Sequence, residues 1–403
     1  MRNIYKILTF NLLTIFCLFS TDKAFSRVLI DFMGDTLSFK PSKEIVIKHP
    51  ASYVEQSVLD YRAQLIASGA QDLVQQINEI TLKRDLNDWF TYQLVRKAAN
   101  MIIPKSTDYL GYTTTKWYLM NQLGFNTTLA LSKNEVLLYV QSNDQIYNLP
   151  GKLIDGVQYI CLNYHDYNYT TENITDQTII SEMSNESKPF SFSISKLPAS
   201  NPKNYVEKEL AFEYGDKEEK IKIHLDSTIR NYFINYPVTE YHNQFNIPLS
   251  TETKHSLIRE LKKRTEGMNK KRGVEYIMYF TRNAFSYEKD SDYFGREKRL
   301  SPEETLLYNK SDCEDRSALF YALVKEIYQL PMIVLEYQDH ITVAVKFDKP
   351  FGKTIEYNNE LFTICEPTPQ NVDLKIGQIN SKYKKETYQV AFSYQPNKVA
   401  FQE

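Results

Sequence analysis

The hydrophobic pattern changes period along the chain, and each change predicts an element. Val28 to Phe32 is a short apolar run read as a strand. Val54, Val58, Tyr61 and Leu65, then Leu73, Ile77 and Ile80, recur at helical spacing. A stronger helix follows Asp85, with Leu86, Trp89, Phe90, Leu94, Ala98 and Ile102 on one face and Pro104 as its stop. Tyr112 to Leu123 reads as a helix closed by Gly124, and residues 127–131, 135–141 and 157–162 read as strands. The polar stretch 163–188 reads as a loop or linker. Period-two alternation follows in 190–197 and 210–225, where Ile221, Ile223 and Leu225 face one way and Lys220, Lys222 and His224 the other, with a turn at Gly215-Asp216. Together with Tyr232 to Tyr236, these strands predict a small antiparallel β module over 187–240.

A helical period returns at Ser250, with Leu257, Ile258 and Leu261, and again at Val274, Ile277, Met278, Phe280 and Ala284. Ser301-Pro302-Glu303-Glu304 is a cap, proline and acidic first turn, the signature of a helix start. The loop before it, Tyr287 to Leu300, is either one wall of a cleft or plain surface. Past it, Ser311 and Asp312 precede a helix with Leu319, Phe320, Leu323, Val324 and Ile327 on its buried face. The β-branched runs Ile333 to Leu335 and Ile341 to Val345 read as strands, as do Leu361 to Cys365, ending at Glu366-Pro367, and Thr387 to Phe392.

This last region carries the candidate chemistry. Cys313 falls at the first position of its helix, where the helix dipole and unsatisfied N–H groups lower a thiol pKa and offer donors to an oxyanion. Glu314 and Asp315 oppose this by repelling a thiolate, so the cysteine needs a cationic neighbour. His340, beside the second strand, can be that neighbour, and Glu366 can orient it. Helix, strand and strand thus offer nucleophile, base and orienter in order.

On SDCEDRSALFYALVKEI, the His340 strand and ICEPT, the chain resembles the catalytic core of the transglutaminase-like superfamily, which has a papain-like fold. The resemblance spans roughly residues 245–371, with Glu366 standing where the family has Asp. It implies a catalytic domain over 245–403 in which Cys313, His340 and Glu366 form a triad that attacks amide or peptide bonds through a thioester. The acyl group then passes to water, as in a peptidase or amidase, or to an amine, as in cross-linking. Water needs no second binding site, which favours hydrolysis. A protein or peptide substrate is implied, with no cofactor and no metal. The alternative is a non-enzymatic binding or assembly module that keeps the fold.

Composition narrows the setting. The chain's 403 residues call for two or three domains, and a net charge of −2 without a dense basic run argues against nucleic acid. Arg2 and Lys6, the apolar run Ile7 to Phe19 and Ala24-Phe25-Ser26 read as an export signal over 1–26, which places the protein in the periplasm or outside the cell. Its apolar core is too short for a membrane span, and no other span is expected. Cys161, Cys313 and Cys365 remain after cleavage, an odd number that leaves a free thiol. The six histidines are too scattered for a zinc site, and no acidic loop suits calcium.

An internal comparison adds one expectation. Residues 107–164 repeat the helix, strand, strand, turn, strand order of the C-terminal core, with Tyr109 opposite Cys313, Glu135 opposite His340 and Leu162 opposite Glu366. Either the fold is duplicated, with a degenerate copy within 27–165, or two ordinary α+β units look alike. The fold class expected is α+β in both cases.

Overall fold

The structure, a computed structural model, describes residues 27–43, 45–49, 52–168, 177–181 and 187–396. The expected export segment lies outside them. In the N-terminal half, the hairpin β1 (Val28–Phe32) and β2 (Asp35–Phe39) precedes helices α1 (Glu55–Ala67), α2 (Ala70–Arg84), α3 (Asp88–Ile102) and α4 (Tyr109–Gln122). Strands β3 (Thr127–Ser132), β4 (Glu135–Gln141), β5 (Gly151–Ile154), β6 (Val157–Cys161) and β7 (Thr178–Ser181) follow. A two-stranded ribbon, β8 (Tyr205–Tyr214) and β9 (Lys217–Asp226), and the short helices α5 (Ile229–Phe233) and α6 (Tyr241–Phe245) link the halves.

The C-terminal half runs through α7 (Thr251–Arg264), α8 (Lys270–Asn283), β10 (Ser286–Tyr287), α9 (Asp290–Tyr293), α10 (Pro302–Leu307), β11 (Lys310–Ser311) and α11 (Cys313–Tyr328). It ends with β12 (Met332–Glu336), β13 (Ile341–Val345), β14 (Thr354–Tyr357), β15 (Glu360–Cys365) and β16 (Gln389–Tyr394). The whole is α+β, with two curled five-stranded sheets.

These sheets have one topology. Their strand orders, β5-β6-β4-β3-β7 and β14-β15-β13-β12-β16, run through the same sequence of hairpins, and every pairing is antiparallel. The register agrees as well: Tyr139 faces Cys161 as Val343 faces Cys365. Each sheet is crossed by a helix that also packs on an earlier helix, α4 on α3 and α11 on α8. Leu110 to Met120 of α4 are all buried, so that helix has no polar face to show as amphipathic periodicity.

Aromatic packing overrides local preference in the linking region. Tyr232 to Tyr236, expected as a strand, begins inside helix α5, and its rings pack around Trp89 and Phe90. Residues 190–197 form no strand; Phe190 N–H donates to Gln141 O at 2.7 Å, and Phe190, Phe192 and Ile194 are buried in the N-terminal core. The expected β module over 187–240 divides its apolar side chains between two cores. Phe190, Phe192, Tyr232 and Phe233 join the first, while Leu210, Phe212, Ile221, Ile223 and Leu225 join the second against α7 and α8. No helix among the described residues is long and apolar enough to cross a membrane.

Candidate active site

Cys313 opens α11. Its predecessor Asp312 caps the helix by accepting from the N–H groups of Glu314 (3.1 Å) and Asp315 (3.4 Å), and the Asp315 carboxylate accepts in return from Asp312 N–H (3.3 Å). That reciprocal capping box fixes where the helix begins. The Cys313 N–H, which the cap does not take, points from the positive end of the helix. Cys313 is 8% exposed, and one turn further along α11 Ser317 Oγ donates to the carbonyl of Ile341, the first residue of β13, at 3.2 Å. The Cys313 thiol donates its proton to Glu314 Oε2 at 3.0 Å. Burial, then the charges of Glu314 and Asp312, push the thiol well above its ordinary pKa.

The negative surroundings extend into the preceding loop. Carboxylate oxygens of Asp290, Asp312 and Asp315 lie within 4.8 Å of one another, all three residues buried. Burial and mutual repulsion raise Asp290 to about 8 and Asp312 to about 10, and Asp315 also lies well above its usual range. Backbone donors hold the cluster in place: Lys298 N–H to Asp290 and Leu300 N–H to Asp315, both at 2.8 Å. The loop from Tyr287 to Leu300 is thereby tied to the start of α11 as a wall beside the thiol. Pairing of β10 with β11 anchors its entry.

His340 and Glu366 are joined directly. His340 precedes β13 and Glu366 follows β15, which pairs with β13. Imidazole Nε2 lies 2.8 Å from Glu366 Oε2, with both side chains buried. Donation from Nε2–H to this carboxylate leaves the lone pair on Nδ1. Burial alone would lower the imidazole pKa, but the charge and hydrogen bond of Glu366 outweigh it, and the net direction is upward. Glu366 is held in turn by Thr368 N–H to Oε1 (3.0 Å), and its carbonyl accepts from the buried Arg282.

His340 and Glu366 therefore meet at one end of the sheet, and the helix that Cys313 opens is tied through Ser317 to the residue after His340. The thiol proton, however, goes to Glu314 and not to the imidazole. Two contributors had no signal in the sequence. Tyr383 stacks on the imidazole at 4.8 Å and 17°. Arg316, fully buried, donates to Ser311 Oγ and to the carbonyls of Arg282 and Phe285, locking the approach to Cys313 onto the end of α8.

The N-terminal unit fills the matching place differently. Asp108 caps α4 as Asp312 caps α11, and Tyr109 stands at the position of Cys313, the numbers differing by 204 at each. Alignment of Cys161 with Cys365 through the strand register puts Leu162 opposite Glu366 and Val136, not the expected Glu135, opposite His340. Tyr109 Oη donates to Asp166 (2.8 Å) and accepts from Asn163 Nδ2 (2.7 Å), while Lys105 and His165 bind the same Asp166 carboxylate. Thiol and imidazole are thus replaced by a closed polar network and apolar residues. Comparison of the chain with family models, with curated proteins and with solved structures finds no match.

Proposed function

We propose that the chain is an exported transglutaminase-like cysteine enzyme, with a papain-like catalytic core over 245–403, that opens amide bonds in peptides or proteins. The observation that carries this reading is the buried His340–Glu366 pair at the ends of adjacent strands, beside a helix that opens on a thiol and is tied through Ser317 Oγ to Ile341, the residue after His340. Cys313 Sγ attacks the carbonyl carbon as its proton passes to His340 Nδ1, and Glu366 stabilises the imidazolium. The N–H of Cys313 is placed to receive the oxyanion. The imidazolium then protonates the leaving amine nitrogen, the C–N bond breaks, and a thioester remains. Water, deprotonated by the same imidazole, releases the acid and restores the thiol. Hydrolysis is favoured because it needs no second pocket; an amine acceptor would give cross-linking by the same steps.

One observation favours a second reading, a binding or assembly module without turnover: the resting thiol is buried, protonated and bonded to an acid. The two readings part in one experiment on the folded protein with a pool of peptide amides. New amino termini or incorporation of a labelled primary amine, both abolished in Cys313→Ala and His340→Ala, supports the enzyme. The first product marks hydrolysis, the second amine transfer. Neither product from folded wild type supports the module.

A further inference from the structure

A cavity of about 770 Å³ lies not at Cys313 but in the N-terminal unit, between the β1 edge and α3. Arg96, Lys97, Lys105 and Lys203 line it, with Asp31 as the single acid among the lining residues. This concentration of positive charge is local, since the chain as a whole carries −2. Lys105 is neutralised by Asp166. Lys97 and Lys203 stand in no ion pair among the described residues, and Lys97 lies 5.8 Å from the centre of the Tyr232 ring.

The wall also holds an unused donor. Gln93 is 5% exposed, and its carbonyl accepts from Arg96 at 3.0 Å. A guanidinium only donates, so this bond fixes the amide orientation and turns Nε2 away from Arg96. That buried N–H2 group has no partner. An oxygen acceptor in the cavity would remove the cost of leaving it unpaired.

The opposite wall is a strand edge. Met33 and Gly34 both have positive φ (54° and 79°), which makes the β1–β2 connection a type I′ turn. Such a turn makes Phe32 and Asp35 a hydrogen-bonded pair, and alternation then does the same for Ile30 and Leu37. Leu29 and Asp31 consequently aim their N–H and C=O groups away from β2. The hairpin is a two-stranded sheet, so among the described residues no strand pairs with that edge, and Leu29, Ile30 and Asp31 face the cavity along it. The hairpin is also held firmly. Met33 N–H donates to Tyr232 Oη at 2.6 Å, Asn204 Nδ2 donates to Met33 O at 3.0 Å, and Ile30 and Phe32 are buried.

We propose that this cleft binds an extended acidic peptide, which adds as a third strand along Leu29 to Asp31 and sets its carboxylates against Arg96, Lys97 and Lys203. Strand addition supplies affinity through the main chain, and the basic wall selects the side chains. Three facing residues at about 3.3 Å each give a contact of roughly 10 Å, a match for three or four peptide residues. The proposal does not depend on the chemistry at Cys313.

The test is fluorescence anisotropy of labelled hexaglutamate with the full chain, read without any assay of turnover, so its failure leaves the enzyme reading untouched. Saturable binding is expected, with hexaglutamine and hexalysine at least about tenfold weaker, the equivalent of one 1.4 kcal/mol step. Lys97→Glu with Lys203→Glu, both at solvent-reachable side chains, should weaken hexaglutamate by at least the same factor. Hexaglutamate N-methylated at alternate amides keeps every carboxylate but cannot pair along a strand, and it should also lose about tenfold. No saturable binding, or charge-reversal binding equal to wild type, overturns the proposal. Equal affinity for the methylated peptide, or stronger binding of heparin or pyrophosphate, overturns it too, by showing a site that reads charge alone.

Discussion

The two helix-and-sheet units share a capping aspartate, a strand order and a register, yet differ at the positions that would do chemistry. In the N-terminal unit the β3–β4 hairpin runs on to the pair Ser132 and Glu135, whereas pairing of β12 with β13 stops at Glu336 and Ile341. Tyr337 N–H closes onto His340 O (2.8 Å), so His340 sits at the mouth of its hairpin where Val136 is inside a strand. The difference teaches that the scaffold is held by helix and sheet packing, while the site hangs on three residues at element ends. The N-terminal unit has the former without the latter, the pattern expected of a duplicated fold with one silent copy.

The largest effect expected from breaking this contrast is on turnover. Cys313→Ala and His340→Ala should each lower kcat/KM by at least about a thousandfold, since nucleophile and base act as a unit. Glu366→Gln should lower it strongly. Tyr109→Phe, at the matching place, should change it less than about twofold by the same logic. A comparable loss from Tyr109→Phe would mean that the first unit takes part in the reaction.

Much of this was legible because the candidate residues lie at punctuated boundaries. Asp312 marks the helix start, the run Ile341 to Val345 marks the strand beside His340, and Pro367 marks the end after Glu366. The matching order of the first unit was legible too, to within one residue at Val136. What escaped has physical reasons. Strand β7 lies within a polar stretch and buries only Ile180, so no alternation betrays it. Helix α5 is aromatic and reads locally as a strand, but packing against Trp89 and Phe90 decides its form. Glu314 was foreseen as a repelling charge, but not as the acceptor of the thiol proton. Tyr383 and Arg316 reach their partners across long sequence separations, which no local pattern records.

A second, smaller contrast concerns the central helices. Lys116 of α4 is fully buried, its Nζ has no hydrogen-bond partner, and it lies 4.4 Å from the centre of the Tyr112 ring. Its counterpart at the same 204-residue spacing is Phe320, equally buried. Burial lowers Lys116 from 10.5 to about 7. The folded state therefore sheds a proton that the unfolded state keeps between about pH 7 and 10.5, and stability rises with pH across that window. Lys116→Met should flatten that rise and stabilise the protein at pH 7 by on the order of 4 kcal/mol at most. Denaturant unfolding at several pH values measures this; an unchanged slope with pH would show that the charge is not what the burial penalises.

The capping aspartates should respond with opposite signs. Asp108→Asn keeps the acceptor for Gly111 N–H but loses the ion pair to exposed His49 and the charge at the helix N-terminus, costing about 0.5–1 kcal/mol. Asp312 is raised by burial and by Asp315 and Glu314, so its folded state holds a proton that the unfolded state loses above about pH 4. Stability then falls as pH rises toward 10, and Asp312→Asn should raise the melting temperature at pH 8. Destabilisation by both substitutions would remove the repulsive cluster from the account.

The smallest effect probes the thiol itself, with the other two cysteines as internal standards. Cys161 and Cys365 are both fully buried at matching strand positions, and burial pushes Cys161 to about 12 and Cys365 higher still. Neither should react with iodoacetamide while the protein is folded. Cys313 differs because its elevation has a removable part: Glu314 adds a negative charge and accepts the proton at 3.0 Å. Glu314→Gln removes the charge while leaving the shape, so the thiolate becomes easier to form. The expected outcome is slow labelling of wild-type Cys313 at pH 7, faster with rising pH, and a gain of about fivefold to tenfold at pH 7 in Glu314→Gln, on the order of 1 kcal/mol. Peptide mapping assigns the labelled residue. An unchanged rate in Glu314→Gln would mean that burial alone holds the proton on Cys313, and that the substrate must displace more than one neighbouring charge before the thiol can act.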